Sequence, residues 1–313
     1  MSVDVSVMIV SWNPSEVLPG CLDSLPASAG GLQVETWVVD NGSIDGTPEA
    51  IRRNYPNVRL LENTENVGFA AANNQAATQA TGRYLLMLNP DTQAAPRALE
   101  TLVRYADAHP CFGAVGPKLL NPDGSQQRSC WRGYPGLGMA LTDALYLWKV
   151  PGLPLAKQSE YNAEELTGPL EVDHILGAAM LIRRAAWQQV GELDPSFFLF
   201  LEETDWCYRA RRLGWRMAYT PEAVVTHLGE HSVHQNPERN LPLFYRNYCR
   251  FYRTHLARGK AGPLVLKGII GLAAAVRVGL WQWRQARRKG SAQVRARRMG
   301  AGYRLVLSQL ATF

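Results

Sequence analysis

The segment from Tyr84 to Asp91 constrains the fold more than any other part of this 313-residue chain. Its first five residues, Tyr84–Leu88, have the length and the apolar character of a buried strand. Asn89-Pro90-Asp91 follows at once, and proline ends a strand because it has no amide hydrogen and restricts the residue before it. Asp91 is therefore expected at the carboxyl end of a strand, where open α/β sheets place ligand-binding groups.

Two further strand ends repeat this arrangement near the N-terminus. Val5–Val10 leads into Ser11-Trp12-Asn13-Pro14, and Thr36–Val39 leads into Asp40 and a Gly/Ser turn. Predicted helices, the first from Ser15 to Leu25, alternate with the strands over short connections. This alternation predicts right-handed crossovers and an α/β fold, with a mostly parallel sheet flanked by helices.

The pattern loosens in the middle of the chain. Asn121–Gly168 is rich in proline, glycine and aromatic residues, as expected of an inserted loop region. A strand is predicted at Ile175–Ile182. After the apolar run Phe197–Leu201, a helix is predicted to start at Glu202 and to end at Gly214, since glycine commonly follows the last turn of a helix.

Charge divides the chain into two parts. Residues 239–313 contain 16 Lys and Arg and no Asp or Glu, whereas residues 1–238 contain 17 basic and 27 acidic residues. We therefore predict an acidic α/β domain at residues 1–250 and a basic, partly amphipathic helical tail at residues 251–313. The two parts should have different partners.

The basic tail is predicted to associate with an anionic membrane surface. Lys267 and Arg277 interrupt its apolar run, so a helix lying in the interface is favoured over a helix that spans the bilayer. Basic residues from Arg284 to Lys289 would then lie near the headgroups. A helix packed on the rest of the protein, with a solvated basic face, is the alternative. No nucleic acid partner is expected, because no nucleic-acid-binding fold is recognisable.

The cysteines and the N-terminus favour a cytoplasmic location. The five cysteines are odd in number, scattered, and without a Cys-x-x-Cys pair. They predict neither a disulfide scaffold nor a zinc site, and they fit a reducing cytosol. Asp4 interrupts the segment in which a signal peptide would be apolar, so no export signal is expected.

Two strand-end residues are candidates for binding a cation. Asp91 offers a hard oxygen ligand, which suits Mg²⁺ or Mn²⁺ bridging a carboxylate and a substrate diphosphate. His227 follows Val224-Val225-Thr226 at another predicted strand end and could complete the metal shell, although lone histidines are more often structural. Asp40 can equally be an ordinary turn residue.

Three carboxylates, Glu202, Glu203 and Asp205, lie in the first turn of the helix that follows Phe197–Leu201. Acids at a helix N-terminus stabilise the helix dipole, and that role alone would explain them. The apolar run before them also predicts partial desolvation, which raises the pKa of a carboxylate towards that of a general base. Both interpretations stay open at this point.

Taken in order, these segments resemble the inverting glycosyltransferases of family 2, which have the GT-A (Rossmann-like) fold, and among them bacterial rhamnosyltransferases of O-antigen and cell-wall polysaccharide assembly. The resemblance covers roughly residues 3–255 and is specific because the segments occur in the family's order. The matching segments are Val7–Asn13, Val38–Ser43, Asn66–Asn74, Leu88–Asp91, Gly177–Arg184 and Phe198–Trp206.

The resemblance implies a role for each candidate residue. Asn89-Pro90-Asp91 stands where the family usually has Asp-x-Asp, so Asp91 would hold the divalent ion and His227 would add a ligand. Glu203 aligns with the catalytic base, with Glu202 and Asp205 as neighbouring candidates. The nucleotide-binding residues implied by the resemblance are Ser11, Trp12, Asn13, Asp40, Asn66, Gly68 and Asn89.

The function implied by the resemblance is sugar transfer from a dTDP- or UDP-sugar, best L-rhamnose from dTDP-rhamnose, to a polyprenyl-linked glycan or polysaccharide hydroxyl. The resemblance implies Mg²⁺ or Mn²⁺, and together with the basic tail it predicts a peripheral position on the inner face of the bacterial cytoplasmic membrane. Two alternatives are a sugar-phosphate nucleotidyltransferase and a non-catalytic scaffold of a polysaccharide assembly complex. The sequence shows no Gly-rich triphosphate loop near the N-terminus, which argues against a nucleotidyltransferase. A scaffold would not need the candidate catalytic carboxylates, and their presence argues against that alternative.

Overall fold

The computed structural model describes residues 2–127, 130–131, 133–145, 165–229 and 236–313. The chain divides into two compact units, residues 1–132 with 161–229, and residues 133–160 with 230–313. The predicted domain boundary at residue 250 falls inside the helix Pro237–Phe251 of the second unit. A functional division at that residue stays a prediction.

The described strands of the first unit are β1 (Val5–Ser11), β2 (Val34–Asp40), β3 (Arg59–Glu62), β4 (Tyr84–Leu88), β5 (Thr92–Ala94), β6 (Phe112–Leu120), β7 (Cys130–Trp131), β8 (Leu170–Val172), β9 (His174–Ile175), β10 (Ala179–Arg183) and β11 (Arg216–His227). Nine of them form a mixed sheet in the order β3-β2-β1-β4-β10-β6-β11-β5, with β8 paired to β11. A separate two-stranded sheet pairs β7 with β9.

The four N-terminal strands β1 to β4 are mutually parallel, as predicted, so their carboxyl ends meet at one edge of the sheet. β10 then enters antiparallel between β4 and β6. Successive residues of β1 and β4 belong to two different hydrophobic clusters, because side chains alternate between the faces of a strand. The sheet is thus covered by apolar side chains on both faces, as buried parallel strands require.

Helices cover both faces of this sheet. The described helices of the first unit are α1 (Leu18–Ala29), α2 (Thr47–Asn54), α3 (Phe69–Gln79), α4 (Ala98–Ala108), α6 (Arg184–Val190) and α7 (Glu202–Arg212), and α5 (Leu137–Ala144) belongs to the second unit. One hydrophobic cluster contains residues of α1 and α4, and the other contains residues of α3, α6 and α7. The predicted α/β architecture is confirmed.

Two predicted elements have different bounds in the structure. α1 begins at Leu18 rather than Ser15, because the Ser15 amide donates to Asp45 Oδ2 (2.9 Å) and the chain before the helix is held in a loop. The strand predicted at Ile175–Ile182 is interrupted between β9 and β10. The interruption occurs because β9 pairs with β7 in the small sheet, whereas β10 pairs with β4 and β6 in the large one.

The second unit is helical, as predicted for the tail. It comprises α5, α8 (Pro237–Phe251), a π-helical turn Tyr252–Leu256, α9 (Ala261–Arg287), α10 (Ser291–Gln309) and a final 3₁₀ turn Leu310–Thr312. Arg277 of α9 is buried within this unit and pairs with Asp143 Oδ2 at 3.0 Å. Within the loop region predicted at 121–168, residues 128–129, 132 and 146–164 lie outside the described residues, and the described part contains β7 and α5.

One helix of the described ranges, α9, is long and apolar enough to cross a membrane. Its most apolar 18-residue window has a mean hydropathy of 1.8, and 28% of that window is buried inside the protein. Length and composition are the only basis for this finding, and core helices of soluble proteins share both properties.

Candidate active site

The register between β5 and β11 brings Asp91 and His227 together. His227, the last residue of β11, pairs with Thr92, and the Leu228 amide donates to the Asp91 carbonyl oxygen at 2.9 Å. His227 Nε2 consequently lies 3.4 Å from Asp91 Oδ1, and Asn89 Nδ2 lies 3.4 Å from the same nitrogen. Three residues predicted from two separate strand ends, those of β4 and β11, therefore meet at one point.

The pair Asp91 and His227 fits a divalent cation of the Mg²⁺ or Mn²⁺ kind. In octahedral coordination with ligand distances of about 2.1 Å, neighbouring ligands lie about 3 Å apart, which is close to the separation of these two atoms. Over the described ranges, no cluster of three or more His, Cys, Asp and Glu residues could hold a metal ion. A cation bound here would thus take its remaining ligands from a substrate diphosphate and water, as Mg²⁺ commonly does.

Asp40, the last residue of β2, binds both the end of β1 and the loop that follows β2. Its Oδ1 accepts hydrogen bonds from the hydroxyls of Ser11 and Ser43 at 2.6 Å each, and its Oδ2 accepts one from the Ser43 amide at 2.8 Å. The Asp40 side chain is buried. These contacts show the turn-forming role that the sequence left open, and Asp40 Oδ2 retains a lone pair for a ligand.

Asn13 connects the first strand end to the same loop. Its amide donates to Ser43 Oγ and its side-chain oxygen accepts from the Ile44 amide, each at 2.8 Å. Asn13 has a left-handed backbone (φ 54), which asparagine tolerates better than most residues. The neighbouring Trp12 side chain is 49% exposed beside this loop.

The predicted Asn66–Gly68 loop is tied both to β2 and to the segment before α7. Asn66 Oδ1 accepts from the Gly68 amide at 3.0 Å, and the Gly68 carbonyl accepts from Asn41 Nδ2 at 3.3 Å. The Phe69 amide donates to the Phe198 carbonyl at 2.7 Å. A Cβ on Gly68, which has φ +92, would lie only 2.6 Å from that carbonyl oxygen. Glycine is therefore required at this position.

We expect Gly68→Ala to reduce the free energy of unfolding by about 1–3 kcal/mol more than Gly191→Ala does. Gly191 has a similar backbone conformation (φ 87, ψ −178, against φ 92, ψ 167 for Gly68), but no atom of the described residues lies within 4 Å of the position that its Cβ would take, so its substitution carries only the backbone cost. The comparison isolates the collision with Phe198. Urea unfolding of both variants measures the difference, and equal losses would mean that the Phe198 segment yields without cost.

The carboxylates of Glu202 and Glu203 are both buried at the start of α7. Burial raises the pKa of Glu203 to about 7, against hydrogen bonds from backbone amides and Thr204 that lower it. Burial also raises the pKa of Glu202 well above its ordinary value, and the charge of Glu203 adds to the effect. The predicted desolvation is thus present, and a pKa near 7 is suited to a general base.

Asp205 has a different environment from its two neighbours. Its Oδ2 accepts a hydrogen bond from Arg209 Nε at 2.8 Å, and Arg209 also donates to the carbonyls of Val190 and Glu192. Asp205 and Arg209 lie one helical turn apart on α7 and form an ion pair. This geometry favours a structural role for Asp205 and leaves Glu202 and Glu203 as the candidates for proton transfer.

The turn before β10 connects Glu203 to the end of the sheet that carries Asn89 and Asp91. A Cβ on Gly177 would lie 3.6 Å from Glu203 Cγ and 3.6 Å from Phe69 Cε1. The carbonyl of the next residue, Ala178, accepts a hydrogen bond from the Asn89 amide at 2.9 Å. One short turn therefore contacts the helix that carries the carboxylates on one side and the Asn89-Pro90-Asp91 segment on the other.

The chain enters α7 through two consecutive left-handed residues, Phe200 (φ 73) and Leu201 (φ 71). This backbone conformation costs a non-glycine residue roughly 1–2 kcal/mol. Strain of this kind is retained where the surrounding structure requires it, and it concentrates at functional sites. Here it directs the first turn of α7, with Glu202 and Glu203, into the interior of the unit.

Sequence reasoning did not identify Ser43 and Gln127. Ser43 lies in the matched segment after β2, so its hydroxyl was a recognisable candidate. Gln127 lies in the irregular region after β6, and nothing in the sequence pattern there indicates that its side chain contacts His227.

Residues 6–148 match the family described as Glycosyl transferase family 2. The matched range begins in β1 and includes the strand ends that carry Asp40 and Asp91. The chain also has curated relatives. It is 30% identical over 298 residues to the N-acetylglucosaminyl-diphospho-decaprenol L-rhamnosyltransferase of Mycobacterium tuberculosis, and the alignment covers 90% of this chain and 95% of that relative.

A second relative is the O-antigen biosynthesis protein RfbC of Myxococcus xanthus, which is 27% identical over 231 residues covering 71% of this chain and 17% of the relative. Among solved structures, a mannosyltransferase from Pyrobaculum calidifontis in complex with GDP-Man and Mn²⁺ has a TM-score of 0.59 at 18% identity. That match covers 99% of this chain and 88% of the other, and it shows the fold, which is the predicted GT-A architecture.

The comparisons favour the predicted transferase over the nucleotidyltransferase and the scaffold that the sequence left open. The mycobacterial relative aligns over nearly its whole length and is itself a transferase. The chain therefore belongs to glycosyl transferase family 2 and is a glycosyltransferase.

Proposed function

We propose that the chain is an inverting transferase that moves L-rhamnose from dTDP-rhamnose to a hydroxyl of a polyprenyl-linked glycan. The observation that carries the chemistry is Glu203, a buried carboxylate whose pKa is raised to about 7 at the start of α7. Donor sugar and acceptor rest on the mycobacterial relative, whose name states L-rhamnose transfer to N-acetylglucosaminyl-diphospho-decaprenol. A UDP-sugar donor and a polysaccharide acceptor are the alternatives that the first experiment distinguishes.

In the proposed reaction Glu203 accepts the proton of the acceptor hydroxyl. The hydroxyl oxygen forms a bond to the anomeric carbon on the face opposite the nucleotide. The bond between that carbon and the diphosphate oxygen breaks, and its electron pair leaves with the diphosphate. One displacement inverts the anomeric configuration, so a single catalytic carboxylate suffices, in contrast to the pair used by a glycosidase.

Asp91 and His227 would hold Mg²⁺ or Mn²⁺, and Asn89 lies beside them. When bound, the ion would neutralise charge on the departing nucleoside diphosphate. The Pyrobaculum mannosyltransferase, whose structure was solved with both GDP-Man and Mn²⁺, supports this proposal. Ser11, Trp12, Asn13 and Asp40 would bind the base and ribose.

The test is a donor panel. Purified protein is incubated with dTDP-, UDP- and GDP-sugars, a polyprenyl-diphospho-N-acetylglucosamine acceptor and Mg²⁺ or Mn²⁺, and nucleoside diphosphate release and product are measured. Release of dTDP from dTDP-rhamnose, with an inverted anomeric centre in the product, is expected. Release from another donor alone would overturn the assignment of the sugar, and a retained configuration would overturn the role of Glu203.

We further propose that the second unit docks on the anionic inner face of the bacterial cytoplasmic membrane. Its helix α9 exposes a set of apolar side chains, and residues four apart lie on one face of a helix. Arg284 stacks on Trp281 and Arg287 on Trp283, with guanidinium carbons 4.7 and 4.6 Å from the ring centroids. The exposed apolar residues of α9 include Leu264, Leu272, Val276, Leu280 and Trp283.

A triple substitution, Arg284→Glu with Arg287→Glu and Arg288→Glu, is expected to weaken binding to vesicles containing phosphatidylglycerol by at least about 100-fold. Each basic residue near an anionic surface contributes about 1 kcal/mol, so the loss of three alone removes about 3 kcal/mol. Co-sedimentation measures the effect, with neutral phosphatidylcholine vesicles as the control. Unchanged binding of the variant would contradict docking through this surface, and membrane association that resists high salt and alkaline carbonate would indicate a spanning helix.

A further inference from the structure

We propose that a directional chain of hydrogen bonds, from Asp123 through Ser125, Asn121 and Gln127, fixes the tautomer of His227. The proton of the imidazole is held on Nδ1, and Nε2 presents its lone pair towards Asp91. The consequence for cation binding rests on the proposed function, whereas the tautomer itself does not.

The chain of hydrogen bonds begins at a group that can only accept. Asp123 Oδ1 accepts from the Ser125 hydroxyl at 2.6 Å and from the Ser125 amide at 2.9 Å. The hydrogen bond from the hydroxyl lowers the pKa of Asp123, which favours the ionised carboxylate. Because a hydroxyl has one hydrogen, Ser125 Oγ has only lone pairs for its other neighbour, Asn121 Nδ2, at 2.8 Å.

These contacts set the orientation of the Asn121 amide. Its Nδ2 must face Ser125, so its Oδ1 faces Gln127 and accepts from Gln127 Nε2 at 2.6 Å. The backbone of this turn is also closed by hydrogen bonds, since the Asn121 amide donates to the Ser125 carbonyl at 2.7 Å. The turn from 121 to 125 therefore presents one acceptor, Asn121 Oδ1, to Gln127.

The orientation of Gln127 follows in the same way. Its Nε2 has two hydrogens, one donated to Asn121 Oδ1 and one to the His227 carbonyl at 2.7 Å. Exchanging its oxygen and nitrogen would place the side-chain oxygen, an acceptor, against two other acceptors at these short distances. Gln127 Oε1 therefore faces His227 Nδ1 at 2.9 Å, and a carbonyl oxygen at that distance requires a hydrogen on Nδ1.

A neutral imidazole with its hydrogen on Nδ1 carries a lone pair on Nε2. That nitrogen lies 3.4 Å from Asp91 Oδ1 and 3.4 Å from Asn89 Nδ2, beyond the usual range for a hydrogen bond. The side chain of His227 is 8% exposed, so the lone pair faces this pocket rather than bulk water. Histidines that bind metals usually donate their other ring hydrogen to a fixed acceptor. For His227 this acceptor is Gln127 Oε1.

Gln127 is thus a positioning residue that acts through His227. Without it the imidazole can place its hydrogen on Nε2, where it would donate to Asp91 and occupy the position of a cation. Gln127 also donates a hydrogen bond from Nε2 to the His227 carbonyl, which holds the end of β11 beside Gln127.

The tautomer is measured directly by ¹⁵N NMR of histidine-labelled protein, without metal, at mildly alkaline pH. The chain has six histidines, and His227→Gln identifies the resonances of His227. The wild type is expected to show the Nδ1–H form, and Gln127→Leu is expected to lose it. Gln126→Leu is the matched control, because Gln126 Nε2 points to the Tyr219 hydroxyl instead, at 3.5 Å.

An Nε2–H form in the wild type, or an unchanged His227 spectrum in Gln127→Leu, would overturn the proposal. Ser125→Ala is a second variant at an exposed position, so it can be used if Gln127→Leu does not fold. It removes the group that orients Asn121, and it is expected to shift His227 partly towards the other tautomer. The wild-type spectrum alone shows whether His227 has the Nδ1–H form, and this test needs no variant.

Calorimetry of Mn²⁺ binding in the presence of dTDP provides the functional readout. Gln127→Leu is expected to weaken Mn²⁺ binding by about 10- to 100-fold, the usual effect of removing the partner of a metal-binding histidine. If the wild type binds Mn²⁺ and Gln127→Leu binds it equally well, the positioning role is wrong and the proposed metal site stands. If the wild type does not bind Mn²⁺ although His227 has the Nδ1–H form, the proposed metal site fails and the tautomer assignment stands.

Discussion

Replacing Glu203 by glutamine is expected to lower the transfer rate by about 10²- to 10⁴-fold, the usual contribution of a general base. The amide has nearly the same shape as the carboxylate but cannot accept the proton of the acceptor hydroxyl. Binding of Mn²⁺ and dTDP should not change, because Glu203 belongs to α7 and not to the strand ends that carry Asp91 and His227. Turnover with saturating donor and calorimetric binding measure the two effects separately.

Glu202→Gln is the matched control for this experiment. Both residues are buried glutamates of the same helical turn, and Glu202 Oε2 has no hydrogen-bond partner within the described parts of the chain. A much smaller loss of turnover is expected for Glu202→Gln. A larger loss for Glu202→Gln than for Glu203→Gln would assign the base to Glu202 instead.

The pH dependence provides a second check on Glu203. A base with a pKa of about 7 must lose its proton before it can act, so kcat/KM of the wild type should fall about tenfold per pH unit below pH 7. Residual turnover of Glu203→Gln should lack this limb of the profile. A wild-type profile that stays flat from pH 8 to about pH 5 would contradict a base with a raised pKa.

The same pKa shift predicts how the stability of Glu203→Gln differs from that of the wild type. Measuring this difference tests whether the variant is inactive because it misfolds. Because the folded-state pKa of Glu203 lies above its ordinary value of 4.5, its contribution to stability is complete below pH 4.5 and is lost as the pH rises through about 7. Glutamine carries no charge to bury, so Glu203→Gln should be at least as stable as the wild type at pH 8. Relative to the wild type, it should gain up to about 3 kcal/mol between pH 5 and pH 8.

Asp91→Ala is expected to abolish transfer and, unlike Glu203→Gln, to weaken binding of Mn²⁺ with dTDP by at least about 100-fold. The substitution removes one of the two protein ligands proposed for the cation, and such an ion supplies several kcal/mol of charge stabilisation on the leaving group. Calorimetry of Mn²⁺ with and without dTDP, and initial rates over a range of Mn²⁺ concentrations, measure these effects.

Removal of metal is the control for Asp91→Ala. Wild-type protein treated with a chelator should lose activity to a similar extent and regain it on addition of Mg²⁺ or Mn²⁺, whereas Asp91→Ala should not regain it. Full activity of the wild type in chelator would contradict the proposed cation, and normal Mn²⁺–dTDP binding by Asp91→Ala would place the cation elsewhere.

Several features of the site were predictable because they depend on short stretches of chain. The apolar strand followed by Asn89-Pro90-Asp91 ends where proline requires it to end. The apolar run before α7 predicted desolvation of the acids that follow it, and the raised pKa of Glu203 agrees with that expectation. The α/β architecture followed from the alternation of strands and helices.

Other predictions failed or stayed open because the competing interactions come from distant residues. Periodicity alone could not reveal that Ile175–Ile182 is divided between two sheets, since both parts are apolar and strand-like. Asp205 was indistinguishable from Glu202 and Glu203 in the sequence. Its ion pair with Arg209 and the carbonyl contacts that hold Arg209 became evident only in the folded unit.

The sequence by itself determined which groups stand at the strand ends, that acids follow an apolar segment, and that all charged side chains beyond residue 238 are basic, because these properties depend on local composition and periodicity. Only the tertiary structure decided which of these groups meet. Asp91 meets His227 because the register of β5 against β11 aligns chain segments more than a hundred residues apart. Gln127 orients the imidazole because a hydrogen bond depends on distance and direction in space, which no local pattern specifies.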